Sequence, residues 1–360
     1  MIDATISYAK KKDYQSIVYV DNEIRGIYIS YLEYLNNFLG NGKDINQVKI
    51  DKMIDFIKEK NFNTIFLHVS PFSDAIYNSK IFPYSYTLAG VEGKNPGFDY
   101  LEYFIKKAHQ KNIKIHAWIN PYRISFENNV NSLSKDNPAY KLKETSSIYI
   151  DKNGIYYNPA SNLVKDLIVK QVEEIINNYN VDGIHFDDYF YIQNNIDKIE
   201  YSNYKDDMSL SDFRLTNTSD LIKRVYQVIK KKDANIIFSI APDGNINNNY
   251  VYHFADVKKW LDSMEYIDII MPQIYYGFSN EYAPFLKVLE EWISIHKNKD
   301  IKMVPVLAYY KLGEKDYEAG SGLNEWVNDH DIINKQIEII RSKKLAGFTL
   351  FRYDFVKKNN

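Results

Sequence analysis

Two adjacent acids, Asp187 and Asp188, close the apolar run Gly183-Ile184-His185-Phe186 and precede Tyr189. Like charges so near each other raise one pKa, so one carboxyl holds a proton while the other is ionised. That asymmetry suits glycosidic cleavage, which needs an acid for the leaving oxygen and an anion facing the developing oxocarbenium charge. Adjacent acids are poorly placed to flank a bond from opposite sides, and two schemes follow. In the first, the substrate's own 2-acetamido group is the nucleophile; one Asp orients it and the other is the general acid/base. In the second, the partner carboxylate comes from another loop, with Asp74, Asp243 and Glu325 as candidates. Each of those also reads as a loop cap or surface acid, and Asp188 as the cap of its own turn.

Short β-branched or aromatic runs alternate with helical patterns along the chain. Strands are expected at 24–30, 64–70, 113–120, 183–188, 235–241, 268–275, 302–309 and 346–351. Helices are expected at 46–60, 100–111, 161–178, 220–232, 256–264, 283–296 and 331–343. Eight strands alternating with helices predict a single-domain (β/α)₈ TIM barrel over residues 23–356, after an N-terminal extension, 1–22. A doubly wound open sheet is the alternative, but residues 30–33 lack its Gly-rich first turn. Helix-to-strand connections are short (61–63, 112, 179–182, 233–234), whereas strand-to-helix connections are long (71–99, 121–160, 189–219, 311–330). Barrels build their sites from the second kind. Within 147–158 an Asn153-Gly154 step predicts a hairpin with a type I′ turn. Too little chain follows the eighth strand for a good eighth helix. It is atypical or missing, or residues 2–20 cover its place.

Side chains alternate faces along a strand. That alternation turns His68, His116, Trp118, Asn120, His185, Asp187, Gln273, Tyr275 and Tyr309 inward and aims Asp243 at the mouth. Any one of these reads as a satisfied interior polar group; so many together need mutual partners or a ligand. Trp118, Tyr122, Tyr189, Tyr275 and Tyr309 offer stacking platforms for sugar rings, or else core packing. Arg123 suits a hydroxyl or a carboxylate such as a lactyl group. A metal-dependent hydrolase is one rival, with His68, His116 and His185 joining Asp187, although no His-x-His or His-x-x-x-His pair exists. A non-catalytic glycan-binding barrel is another.

Composition narrows the field. Hydrophobic residues are 45% of the 360, enough for a large core, and the net charge is −2 with no basic stripe to track nucleic acid. There is no cysteine, which excludes disulfides and thiolate chemistry. No apolar run approaches the roughly 20 residues of a membrane span. Residues 1–22 lack a signal-peptide pattern, so export requires a leader outside this sequence. The expected setting is extracytoplasmic or cell-wall associated, with a cytoplasmic one as the alternative. Nothing calls for a cofactor, and oligomeric state is not legible. The 32 tyrosines fit sugar stacking, and equally a compositional bias toward Tyr, Asn, Ile and Lys.

Several stretches together resemble glycosyl hydrolase-like family ten, a bacterial barrel family linked to peptidoglycan. They are Ile24-Arg25-Gly26-Ile27-Tyr28, Ser73-Asp74-Ala75-Ile76-Tyr77, Pro96-Gly97-Phe98-Asp99-Tyr100-Leu101, His116-Ala117-Trp118-Ile119-Asn120-Pro121-Tyr122-Arg123, Gly183 to Tyr189, and Met271-Pro272-Gln273-Ile274-Tyr275. The resemblance implies a barrel glycosidase acting on peptidoglycan glycan strands, as hydrolase or lytic transglycosylase. Asp243 after Pro242, and Tyr28 where the first strand commonly carries Trp, depart from the pattern and bear on subsite preference.

Overall fold

Eight parallel strands close on themselves in the computed structural model, which describes residues 20–188, 190–191, 195–204 and 208–359. They are β1 Ile24–Ile29, β2 Thr64–Ser70, β3 Lys114–Ile119, β4 Gly183–Phe186, β5 Ile237–Ile240, β6, β7 and β8 Gly347–Leu350. β6 and β7 are each in two pieces: Ile269–Ile270 and Gln273–Ile274, then Lys302–Met303 and Val306–Leu307. Pro272 and Pro305 fall in the gaps and have no N–H to give the ladder. Their carbonyls carry the pairing across, accepting from Val306 and Thr349. Each strand pairs in parallel with the next, and β8 pairs with β1 through Ile24–Gly347 and its neighbours. The expected barrel stands, and the open sheet is excluded by this closure.

Strand alternation sorts the core in two. Ile65, Leu67, Val69, Ile115, Ala117, Ile119, Ile184 and Phe186 pack under the helices. Tyr28, Phe66, Trp118, Met271, Val304 and Val306 fill the lumen. The lumen is narrow: a Cβ on Gly183 would lie 2.6 Å from His116 Nδ1, so only glycine admits that imidazole.

The outer layer comprises α1 Tyr31–Asn37, α2 Lys43–Glu59, α3 Tyr100–His109, α4 Asn162–Asn178, α5 Leu210–Lys232, α6 Val257–Asp262, α7 Phe285–Ile295, α8 Ile332–Ser342 and α9 Tyr353–Lys358. Two differ from expectation. α1 was not anticipated, although Ser30-x-x-Glu33 forms a capping box at its start. α5 begins at Leu210 rather than 220, capped by the Ser209 hydroxyl. The eighth helix, α9, is atypical at six residues; cover by residues 2–20 concerns a segment of which 2–19 lie outside the described residues. Among the described residues no helix is long and apolar enough to cross a membrane.

The loop after β3 carries an antiparallel sheet of Arg123–Ser125, Ile148–Asp151 and Gly154–Tyr157. Its hairpin forms, but the turn is not type I′. Lys152 and Asn153 are the turn residues and neither has positive φ, whereas Gly154 does. The Asp151 carboxylate accepts from Asn153 N at 2.8 Å, an Asx-type turn. Gly154 is required by the close approach of the Ser125 carbonyl on the neighbouring strand.

Candidate active site

At the C-terminal mouth of the barrel lies a cavity of about 410 Å³ that holds both acids. Asp187, one residue past β4, follows that strand's inward parity. Its Oδ2 accepts from Trp118 Nε1 at 3.2 Å and from Asn120 Nδ2 at 3.4 Å. Asp188 keeps surface toward the cavity yet is crowded by protein on its other sides. Burial pushes its carboxyl above the usual range; His253 and the Gln273 amide ease that shift, and Asp243 adds to it. The neighbouring acids thus sit in unlike surroundings, one clasped by donors and one pushed toward its protonated form.

The cavity walls combine Tyr28, Tyr31, His68, Trp118, Arg123, Gln273, Tyr275, Tyr310, Phe351 and Arg352. His68 stacks on Trp118 with ring centroids 3.6 Å apart and an interplanar angle of 9°. Burial, with Arg123 and His185 nearby, pulls its pKa well down, so the ring is neutral. Neither of its nitrogens has a hydrogen-bond partner, although both are buried. His185 lies deeper in the lumen, bonded to Tyr28 Oη at 2.9 Å and Ser239 Oγ at 2.8 Å. Burial and the charges of Asp187 and Asp188 hold the Tyr28 phenol well above its ordinary pKa.

Other candidates are placed elsewhere. His116 has the expected inward parity but sits at the opposite end of the barrel, lining a separate cavity with Arg25 and Lys114. Burial takes its pKa down to about 4, against the pull of Asp182. Tyr122 and Tyr309 belong to the core under the helices. β7 ends at Leu307 and the chain turns through Tyr309–Lys311, so Tyr310 instead of Tyr309 reaches the cavity. Asp74 lines a neighbouring cavity of about 420 Å³. Glu325 accepts from Ser279 N at 2.8 Å, tying two loops together away from the acids. Tyr189 lies outside the described residues. The three histidines expected of a metal site do not gather: His116 lies at the opposite end of the barrel, His185 is bonded to Tyr28 and Ser239, and no three His, Asp or Glu side chains converge among the described residues.

Asp243 does not line the cavity but shapes its field. It accepts from Asn245 N at 2.6 Å and Asn248 Nδ2 at 3.3 Å, and lies 3.7 Å from His253 Nε2. Burial opposes its charge, but His253 and these donors outweigh that and hold its pKa below the usual range. Burial likewise opposes charge on His253, yet Asp243, Asp188 and Asp187 raise its pKa overall. His253 went unnoticed because it sits on a loop with no periodicity. It is docked by Tyr191 N donating to its carbonyl at 3.4 Å and is followed by Phe254 at φ 50°. Arg352 went unnoticed too. It pairs with buried Glu33 of the capping box, joining the start of α1 to the end of β8.

A closed (β/α)₈ barrel with carboxylates and aromatic rings at its C-terminal mouth has the architecture of a barrel enzyme, with its site where such enzymes place theirs. The chain belongs to the family Glycosyl hydrolase-like 10, whose match spans residues 23–321. It is 30% identical over 346 residues to glycosyl hydrolase YngK of Bacillus subtilis, covering 89% of this chain and 67% of the relative. It is 29% identical to glycosyl hydrolase DigH of Escherichia coli, covering 87% and 76%. In fold it resembles the glycoside hydrolase domain of PgaB (BpsB) from Bordetella bronchiseptica, with TM-score 0.65, 12% identity, and coverage of 93% and 95%.

Proposed function

We propose that this protein is an extracytoplasmic glycosidase that cleaves N-acetylated glycan strands of peptidoglycan. The observation that carries the reading is the unlike environment of two adjacent acids in one aromatic-walled cavity. In the scheme this supports, the 2-acetamido oxygen attacks the anomeric carbon as the glycosidic bond breaks. Asp188 gives its proton to the leaving oxygen. Asp187 accepts from the acetamido N–H and aligns the group. Asp188 then takes a proton from the incoming water, or from the sugar's own C6 hydroxyl in the transglycosylase variant. Two side chains at a cavity wall, Arg123 and Arg352, supply cations for a lactyl carboxylate. Asp243 serves by raising the His253 pKa beside the acids, and the acetamido nucleophile takes the place of a second carboxylate across the bond.

The test is digestion of purified peptidoglycan, intact and amidase-treated, with products identified by mass spectrometry. Asp187→Asn and Asp188→Asn are each expected to stop fragment release. Unchanged release would overturn the catalytic reading in favour of a glycan-binding barrel. Retained anomeric configuration or a 1,6-anhydro product is expected; inversion would exclude the substrate-assisted scheme.

A further inference from the structure

The cavity that holds Asp74 is separate from the acid pair but joined to it by a run of rings. From Trp118, which donates to Asp187, the path goes to His68, then Tyr31, then Phe72, with centroid separations of 3.6, 5.9 and 4.8 Å. Phe72 then meets Phe126 at 5.3 Å and Tyr86 at 5.7 Å. Arg123 lies over the junction, 4.9 Å from the Phe72 ring and 4.8 Å from that of Phe126. Tyr31 and Arg123 line the first cavity; Phe72, Tyr86 and Phe126 line the second. The two cavities therefore share a wall of packed rings.

The second cavity is built for a ligand. Phe126 is 55% exposed and Tyr86 37%, although both pack on the buried Phe72 ring. Exposed aromatic faces held in place by a buried partner are what a sugar ring stacks on. At the cavity wall Asp74 is buried, and only its Oδ1 is well bonded, accepting from Phe72 N at 3.0 Å. Ser85 lies near enough to ease its charge but makes no well-formed bond to Oδ2, which has no partner. A buried acceptor eased only by Ser85, on a side chain that lines the cavity, has room for a further donor. The other charged lining groups are Glu92 and Glu127, and no basic side chain lines the space. Glu92 is already engaged by Ser134 N and Asn137 Nδ2. Three carboxyls line the space, and the nearby Arg123 guanidinium is occupied between the Phe72 and Phe126 rings, so the walls favour a ring rich in O–H and N–H donors over one carrying a carboxylate.

We infer that this second cavity is a distal sugar subsite that takes a neutral N-acetylhexosamine ring of the same strand whose cleavage is proposed at Asp187 and Asp188. The ring stacks on Phe126 and Tyr86, and one of its donors meets Asp74 Oδ2. The inference rests on the glycosidase reading and adds that the enzyme grips a strand several rings long.

Calorimetry tests it, using N-acetylglucosamine oligomers of increasing length on Asp188→Asn and Asp187→Asn chains, which are slow to cleave. Affinity is expected to rise with length, and Phe126→Ala or Tyr86→Ala is expected to remove about tenfold of that rise. Both side chains are exposed, so thermal unfolding of these variants reports that the fold is kept. Asp74→Asn, which preserves volume, is expected to reduce the same length-dependent part. A length dependence identical to the parent's in Phe126→Ala and Tyr86→Ala overturns the subsite while leaving the central reading standing. An equal length gain for carboxylate-bearing oligogalacturonides overturns the assignment to a neutral ring. Failure of either chain to bind any oligomer overturns the glycan reading itself and the subsite with it.

Discussion

Asp188, Asp243 and His253 form one titrating group of side chains at the rim of the cavity. Asp188 is the proton donor in the proposed reaction, and burial raises its pKa, so activity is held as pH rises until that proton is lost. Asp188→Asn should lower kcat by about 100-fold or more, the usual worth of a general acid. A raised acid also contributes stability at low pH that is lost as pH rises through its folded pKa. The same variant should therefore unfold at a higher temperature than the parent at alkaline pH, and at the same temperature at low pH. For the pair beside it the two signs differ. The raised His253 pKa gives stability that fades as pH climbs through it, and the depressed Asp243 pKa gives stability that fades as pH falls through it. Between those limits both are charged, and His253 holds the Asp188 pKa down against the opposing push of Asp243. His253→Gln removes that influence, so the alkaline limb of the kcat profile should move to higher pH; an unmoved limb would reduce His253 to a structural residue. The strand alternation made Asp187, His68 and Trp118 legible in the sequence. It could not give His253, Tyr310 or Arg352, whose directions are set by loop turns and contacts between distant segments.

At the scale of elements, the barrel strands were readable because each face has its own chemistry: branched residues under the helices, aromatic and polar ones in the lumen. Where the reading failed, a backbone detail had intervened. Tyr309 kept the parity of an extended strand only on paper, since the chain leaves β7 at Leu307. The hairpin after β3 uses the glycine one place later than a type I′ turn would, because a third strand presses on Gly154. α5 starts before its apolar period becomes regular, from the Ser209 cap. The same sensitivity makes the lumen testable through Gly183. A methyl group there meets the His116 ring at 2.6 Å and the Ile237 carbonyl at 2.8 Å, so one of them or the strand must shift. Gly183→Ala should cost roughly 1–3 kcal/mol, the range for overpacking a filled core. The urea midpoint measures it, and an unchanged midpoint would mean that β4 can shift. Such a shift would also move Asp187 and show in kcat.

Over the whole molecule, two ion pairs of similar chemistry tie the first strand to the end of the chain at opposite faces of the barrel. At the N-terminal face Arg341, in the last turn of α8, grips Glu23 just before β1 through bonds of 2.7 and 2.8 Å. At the C-terminal face Arg352, just after β8, grips Glu33 of α1. Both acids are buried, and both pairs span nearly the entire sequence, so each fastens the seam where β8 meets β1. Their positions differ in consequence. In barrels of this kind the N-terminal face serves stability, and the C-terminal face holds the chemistry. Glu23 belongs to the first, far from the acids. Glu33 holds an arginine that forms part of the cavity wall. Glu23→Gln should thus lose about 1–3 kcal/mol of stability, less than the full cost of breaking a deeply buried pair because Arg341 keeps some contact with water. Its kcat and KM should match the parent's. Glu33→Gln should lose comparable stability and also raise KM severalfold for muramyl-containing strands, with a smaller effect on strands lacking the lactyl carboxylate, because Arg352 is no longer aimed. Urea unfolding beside steady-state kinetics on both substrates separates the cases. A kinetic defect in Glu23→Gln equal to that of Glu33→Gln would show that the two faces are coupled through the seam and that Arg352 has no particular part in recognising the strand.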